Sequence, residues 1–180
     1  MNYIFTSERL GFRAWQESDH KPFSELNASP AVMEYFPSIL SEAETMAMID
    51  RINKHFENYG FGYWAVDELE TKNFIGFIGF GQPRFESFFT PCIEIGWRLS
   101  QQFWGKGYAT EGAKACLKYG FEILALDKIY SFTATINQRS EGVMKKIGME
   151  KIGEFNHPII PNHKLTQHVI YLIKNPSNHE

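Results

Sequence analysis

One stretch constrains the fold more than any other: Glu94-Ile95-Gly96-Trp97-Arg98-Leu99-Ser100-Gln101-Gln102-Phe103-Trp104-Gly105-Lys106-Gly107-Tyr108-Ala109-Thr110-Glu111. The residues from Cys92 to Leu99 read as a strand and the two closely spaced glycines as a loop. Beyond them Ala109, Ala113, Cys116, Leu117, Phe121 and Leu124 recur on one helical face. A strand feeding a helix through a tight loop commits this part of the chain to a layered arrangement of helices on a sheet. The junction also carries chemistry. The first amides of a helix have no partner inside it, and together with the helix dipole they attract phosphate oxygens. Glycines let the backbone approach those oxygens without a Cβ in the way.

Two common phosphate loops do not fit. A P-loop needs Gly-x-x-x-x-Gly-Lys followed by Ser or Thr, but Ser100 stands at the first glycine and Gly107 follows Lys106. A dinucleotide fingerprint needs a third glycine near the first strand–helix turn. Here Gly105-Lys106-Gly107 is followed by Tyr108, Ala109 and Thr110, far into the chain. A tight turn that binds nothing is the alternative reading at this point.

The rest of the chain supplies a sheet and more helices. Arg9–Trp15 reads as an opening strand and Glu17–Asn27 as a short helix. Ser41-Glu42-Ala43-Glu44 is a capping box, and behind it Met46, Ile49, Ile52, Phe56 and Tyr59 share one helical face that ends at Gly60. Tyr63–Glu68 and Phe74–Gln82, separated by Glu70-Thr71-Lys72-Asn73, predict an antiparallel hairpin. Phe85, Phe88 and Phe89 lie in the loop Pro83–Thr90, as a substrate lid or as a small apolar cluster beneath it. A helix is expected from Tyr108 to Leu124, a strand over Lys128–Thr135 and a helix over Arg139–Ile147 stopped by Gly148. Two strands follow, near Met149–Phe155 and Thr166–Ile173, with a frayed tail at Asn175–Glu180. The order predicts a mixed α/β domain of the α+β type, residues 1–180 as one unit. Its sheet is mostly antiparallel, with one strand–helix–strand crossover.

Bulk properties narrow the function. Forty-three percent hydrophobic and 16% aromatic residues suffice for a core in a chain of 180. With 18 basic and 21 acidic residues, a net charge of −3 carries no footprint for nucleic acid and favours a cationic substrate. The opening MNYIFTSERL lacks the basic and apolar regions of a signal peptide, and no apolar run reaches the about 20 residues of a membrane span. Cys92 and Cys116 read as buried thiols in a reducing compartment, so a cytoplasmic protein is expected. No metal is expected. His157 and His163 border a proline-rich turn, His55 has no partner four residues away, and neither His-x-Glu nor Cys-x-x-Cys occurs.

The pattern Gln102-x-x-Gly105-x-Gly107-x-Ala109 resembles the pyrophosphate signature of the GNAT superfamily of N-acetyltransferases. Asn137-Gln138-Arg139-Ser140-x-x-Val143-Met144-Lys145-Lys146-Ile147-Gly148-Met149 resembles that family's second cofactor segment. Thr6-Ser7-Glu8-Arg9-Leu10-x-x-Arg13 is similar to the start of the branch that acetylates ribosomal-protein N-termini (RimJ/RimL-like). The likeness covers nearly the whole chain in the right order.

The resemblance implies an acetyl-CoA-dependent N-acetyltransferase, a monomer or homodimer. Its acceptor is a primary amine, such as a protein N-terminus. The alternatives are a polyamine, amino-acid or antibiotic acetyltransferase, or an acyl-CoA-binding module without catalysis. It implies that Glu94–Leu99 splays from Lys128–Thr135, with pantetheine pairing along Trp97, Arg98 and Leu99. The amides of Gln102, Trp104, Gly105, Lys106, Gly107, Tyr108, Ala109 and Thr110 then hold the diphosphate. Asn137 and Ser140 flank the thioester end, and Lys146 and Arg139 neutralise phosphate or stay solvated. Glu94 is the candidate base or a plain strand glutamate; alternation puts it on one face with Gly96 and Arg98 without saying which face is inward. Many relatives protonate the thiolate with a tyrosine where this chain has Met144, so Ser140 is the candidate acid, with helix capping as its alternative role. Acceptor-recognising residues are expected in Ala31–Tyr59 and Pro83–Thr90.

Overall fold

The computed structural model describes residues 2–178. Its strands are β1 (Phe5–Thr6), β2 (Leu10–Arg13), β3 (Tyr63–Glu68), β4 (Phe74–Gly81), β5 (Glu94–Leu99), β6 (Lys128–Ala134), β7 (Glu150–Asn156) and β8 (Gln167–Lys174). Its helices are α1 (His20–Asn27), α2 (Glu42–Tyr59), α3 (Tyr108–Glu122) and α4 (Gln138–Lys146). The strands form one sheet in the order β1-β2-β3-β4-β5-β6-β8-β7, antiparallel throughout except where β5 meets β6. The expected α/β class and crossover are therefore present, with β8 inserted between β6 and the edge strand β7.

The sheet is covered on both faces, and β4 divides them. Phe77 joins Phe23, Leu26, Val32 and Ile49 on the side of α1 and α2. Ile78 and Phe80 point the other way, into the main core with Ala113, Cys116 and Leu117 of α3. A Cβ on Gly112 would come within 2.3 Å of the Ile78 side chain, so glycine there lets α3 lie directly on β4.

Local chemistry sets the helix ends. Ser41 Oγ accepts from the Glu44 amide at 3.3 Å while the Glu44 carboxylate accepts from the Ser41 amide at 2.8 Å, the reciprocal cap read from the sequence. Gly60 and Gly148 follow α2 and α4 in the left-handed region, at φ 75° and 85°.

Several expectations shift. The first strand is shorter than Arg9–Trp15 and is preceded by β1, whose two residues are too few to show a period. The Glu17–Asn27 helix opens as a 3-10 turn over Glu17–Asp19. Tyr59 is exposed at the end of α2 instead of joining its buried face. Asn175 is buried, its Nδ2 donating to the Leu126 carbonyl at 3.1 Å and its amide to that of Asp127 at 2.8 Å. The predicted fraying thus fails at its first residue; His179 and Glu180 lie outside the described residues. Phe89 is buried against Tyr130 and Ile170 and Phe85 half-buried beside it, so the apolar-cluster reading of that loop holds, while Phe88 is exposed. Cys92 and Cys116 are free thiols; burial pushes Cys92 up to about 12. Among the described residues no helix is long and apolar enough to cross a membrane.

The motif residue Arg13 anchors β2 to β3 and to the 3-10 turn. Its guanidinium meets Asp67 at 2.7 Å through both Nε and Nη2, and Asp19 at 2.7 and 2.8 Å, and all three residues are buried. Arg13→Met should destabilise the protein by about 3–5 kcal/mol, because two buried carboxylates lose the cation that pairs them. Equilibrium unfolding in urea measures this; a loss below about 1 kcal/mol, the worth of an exposed ion pair, would contradict the assignment.

Candidate active site

β5 pairs with β4 at every residue from Glu94 to Leu99, and β6 pairs with β8 at every residue from Lys128 to Ala134. Between them β5 and β6 share a single registered pair, Glu94 with Tyr130. The Tyr130 amide donates to the Ile93 carbonyl at 2.9 Å, and one residue further the Ser131 hydroxyl, not a backbone group, reaches the Ile95 carbonyl at 3.0 Å. Beyond that point the strands separate. The backbone groups of Ile93, Ile95, Trp97 and Leu99 face the gap, because the alternate residues face β4. The Leu99 carbonyl accepts from Trp104 Nε1 at 2.8 Å. Among the described residues no strand partner faces Trp97 or the Leu99 amide.

The gap opens into a cavity of about 620 Å³. Its walls include Trp97, Leu99, Trp104, Gly105 and Ala109 at one end and Asn137, Arg139, Ser140, Val143 and Met144 from the α4 side. Glu94 and Arg98 line it from β5, and Val32, Tyr35, Phe36 and Met48 close it from the α1–α2 side. Residues of the Ala31–Tyr59 segment therefore line the cavity, whereas no residue of Pro83–Thr90 reaches it.

α3 begins at the cavity's edge. Gly107 precedes it at φ 81° and Gly105 lies at φ 74°, conformations that suit glycine. No side chain caps this end, and the first intrahelical bond runs from the Glu111 amide to the Gly107 carbonyl, which leaves the amides of Tyr108, Ala109 and Thr110 uncommitted. The loop is braced from behind. Glu111 accepts from Ser7 Oγ at 2.7 Å, the Arg9 amide at 2.8 Å and Arg9 Nε at 2.7 Å, while Arg9 Nη1 donates to the Lys106 carbonyl at 3.1 Å. Burial raises the Glu111 carboxyl, but these hydrogen bonds outweigh it and hold the group below its ordinary range.

Other predicted residues stand outside the cavity wall. Gln102 is exposed in a 3-10 turn, and the Tyr108 side chain turns inward, its hydroxyl donating to Glu68. Lys106 lies over the rings of Phe103 and Tyr108, at 5.1 and 5.9 Å. Lys146 is exposed at the far end of α4. Arg139 does reach the cavity, its guanidinium 4.7 Å from the Trp104 ring centre and 3.6 Å from Glu34.

At the start of α4 the cap is Asn137, not Ser140. Asn137 Oδ1 accepts from the Ser140 amide at 3.2 Å; its Nδ2 donates to Thr133 Oγ1 at 2.9 Å and to Ser140 Oγ at 3.2 Å. Ser140 Oγ is therefore an acceptor toward Asn137, and its own proton is free to point into the cavity. Met144 is buried and carries no proton to give.

Glu94, Gly96 and Arg98 face α1 and α2. Glu94 Oε1 accepts from Tyr63 Oη at 2.9 Å. Burial pushes the Glu94 carboxyl up to about 7, with the Tyr63 hydrogen bond pulling the other way. Arg98 is buried, its Nη1 donating to Asn27 Oδ1 at 2.7 Å. His157 and His168 also line the cavity, their ring centres 4.9 Å apart and their planes tilted by 50°, beside Phe132. Burial, then the neighbouring His168, lowers His157 to about 4. Sequence reasoning missed Tyr63, Asn27 and His168. Tyr63 and Asn27 lie 31 and 71 residues from their partners, and no local pattern marks any of the three.

A family model described as an acetyltransferase (GNAT) domain matches residues 9–150. The chain belongs to the GNAT acetyltransferase family. It is 33% identical over 151 residues to an uncharacterized N-acetyltransferase, YnaD, of Bacillus subtilis (strain 168), covering 83% of this chain and 84% of the relative. The GNAT-family acetyltransferase of Bacillus anthracis superposes with a TM-score of 0.77 at 29% identity, over 94% of this chain and 97% of that one. The same fold occurs in spermidine N-acetyltransferase from Vibrio cholerae in complex with CoA and spermine, at TM-score 0.74 and 22% identity over 93% and 96% of the two chains.

The raised Glu94 carboxyl gives this GNAT domain a testable pH dependence. In the folded protein Glu94 holds its proton up to about 7, whereas unfolding returns it to its ordinary 4.5. Ionisation therefore weakens the fold progressively between those values. Glu94→Gln should gain in melting temperature relative to the parent as pH rises from 4.5 to about 7, and the difference should level off above that. A difference independent of pH would show that Glu94 titrates normally.

Proposed function

We propose that the protein transfers the acetyl group of acetyl-CoA to a primary amine, the N-terminal amine of a peptide or protein or that of a small molecule. The observation that carries this reading is the continuous cavity running from the uncapped start of α3, through the β5–β6 gap, to Glu94. Family membership and the CoA-bound neighbour of the same fold support it.

In this reading the backbone of Trp97 and Leu99 pairs with pantetheine as an added strand would. The amides from Gly105 to Thr110 hold the diphosphate at the positive end of α3. Asn137 orients Ser140 beside the sulfur. A backbone amide near Leu99 stabilises the negative charge that develops on the thioester oxygen.

The chemistry balances without a covalent enzyme intermediate. Glu94, acting through water, accepts the proton that the amine gives up. The amine nitrogen bonds to the acetyl carbon and the carbon–sulfur bond breaks. Ser140 donates its hydroxyl proton to the departing thiolate and regains one from water. Holding the amine against the thioester supplies much of the rate, about 7–11 kcal/mol in ideal cases. An α-amino group, with a pKa of about 8, asks little of its base. A desolvated carboxylate titrating near neutrality favours catalysis over the non-catalytic alternative, since a carrier needs no such group.

Thiol release from acetyl-CoA over a panel of amines and peptides tests the assignment. Glu94→Gln should lower kcat/KM by about 10²–10⁴ and flatten the acid limb of the pH profile. Gly107→Asp should cost about 1–3 kcal/mol in backbone strain at φ 81° without unfolding the protein, because a Cβ there meets only Arg9 Nη2 at 3.6 Å and Asp is among the residues that tolerate a left-handed backbone. Its carboxylate competes with Glu111 for Arg9 and adds negative charge at the helix start, so acetyl-CoA binding should weaken at least about tenfold. Undiminished affinity in that variant would remove the loop from the site.

A further inference from the structure

Two arginines of this chain are buried and differently treated. Arg13 is 3% exposed and grips two carboxylates. Arg98 is 8% exposed and, among the described residues, pairs with none. Its hydrogen bonds are both from Nη1, to Asn27 Oδ1 at 2.7 Å and, weakly, to Met48 Sδ at 3.8 Å. Its Nε is buried with no acceptor. The neutral Asn27 is committed in turn, Nδ2 donating to Thr45 Oγ1 at 3.2 Å, and cannot reorient to offer more. The guanidinium centre lies 4.1 Å from the Phe36 ring centre and 5.4 Å from that of Phe77.

Burial lowers Arg98 only to about 10, so it is charged at neutral pH. A buried cation is stable when paired and costly when alone. This one lines the cavity, on the wall shared with Val32, Tyr35, Phe36 and Met48. We infer that the acceptor occupying this wall carries a carboxylate that docks on Arg98, so the enzyme acetylates amino-carboxylates in preference to plain amines or polyamines. This deepens the proposed function and rests on it for the transfer step. Arg98 stands one residue from both Trp97 and Leu99, where the thioester is expected. Amine and carboxylate are therefore close together in the acceptor, as in an α-amino acid or a short peptide. An acidic side chain next to a peptide N-terminus presents the same chemistry.

Matched acceptors isolate the carboxylate. Phenylalanine against phenethylamine, and glycylphenylalanine against its amide, differ only in that group. A C-terminally amidated peptide with aspartate in its second position, against the same peptide with asparagine there, tests the side-chain source. In at least one pair the carboxylate member should be preferred in kcat/KM by about tenfold or more, the worth of one charge-assisted hydrogen bond. In Arg98→Met that preference should vanish through a rise in acceptor KM, and Arg98→Lys should restore part of it. Equal rates within all three pairs, or a preference that survives Arg98→Met, overturns the inference and leaves acetyl transfer standing. If no acceptor turns over, calorimetry with N-acetylphenylalanine and N-acetylphenethylamine decides. Selective binding of the carboxylate supports the site, and equal or absent binding removes it. Failure to bind acetyl-CoA, by contrast, refutes the transfer reading alone. Should Arg98→Met not fold, the matched pairs on the parent protein still decide between the two outcomes.

Discussion

Everything distinctive about this structure depends on β5 being paired along one edge and nearly unpaired along the other. A sheet interior normally satisfies both edges, and each buried backbone group left alone costs about 1–3 kcal/mol. Here β4 and β8 hold β5 and β6 along their full lengths, so the two halves of the sheet are each complete without the seam. One backbone pair and the Ser131 hydroxyl close the vertex of the gap. The polar edge beyond it is retained because it opens on a cavity instead of on apolar side chains. The same divergence sets the helices. α3 starts just past the open end of β5, and α4 starts where β6 ends, with Asn137 tied back to Thr133 on that strand. Two helix N-termini therefore converge on one gap by construction.

The N-terminal motif acquires a physical meaning from this arrangement. Ser7 and Arg9 bond to Glu111 on the first turn of α3, and Arg9 reaches the Lys106 carbonyl inside the glycine loop. Glu111 thereby spends its charge on the brace and does not fill the helix start, where it would compete with an anion. Arg13, four residues on, locks the same β2 segment to β3 and to the turn before α1. The opening residues do not touch the cavity. They hold rigid the loop that borders it.

Much of this was legible in the sequence because it is local. The capping box, the helix-ending glycines, the hairpin and the strand–loop–helix unit each announce themselves within a few residues. What stayed hidden is what depends on distance or on facing. Alternation grouped Glu94 with Arg98, yet only the packing of α1 and α2 shows that their face lies against Tyr63 and Asn27, which are 31 and 71 residues from their partners. Phe88 and Phe89 are adjacent and look alike, but one is exposed and the other is core, because the loop passes over Tyr130. Asn175 reads as the start of a loose tail until its amide group is found filling the carbonyls at the end of the α3–β6 connection.

Bulk charge and local charge also point in opposite directions. A net charge of −3 favours a cationic substrate at long range. Inside the cavity the balance reverses, for one physical reason. Desolvation disfavours the charged form of both groups on the inner face of β5, but their ordinary values lie on opposite sides of neutrality. Pushed up to about 7, Glu94 spends part of its time uncharged. Pulled down to about 10, Arg98 keeps its charge almost fully. The wall they share is thus net positive, and most strongly so when Glu94 is protonated. An overall acidic surface attracts cations at long range, while the field inside the cavity favours a group that brings negative charge.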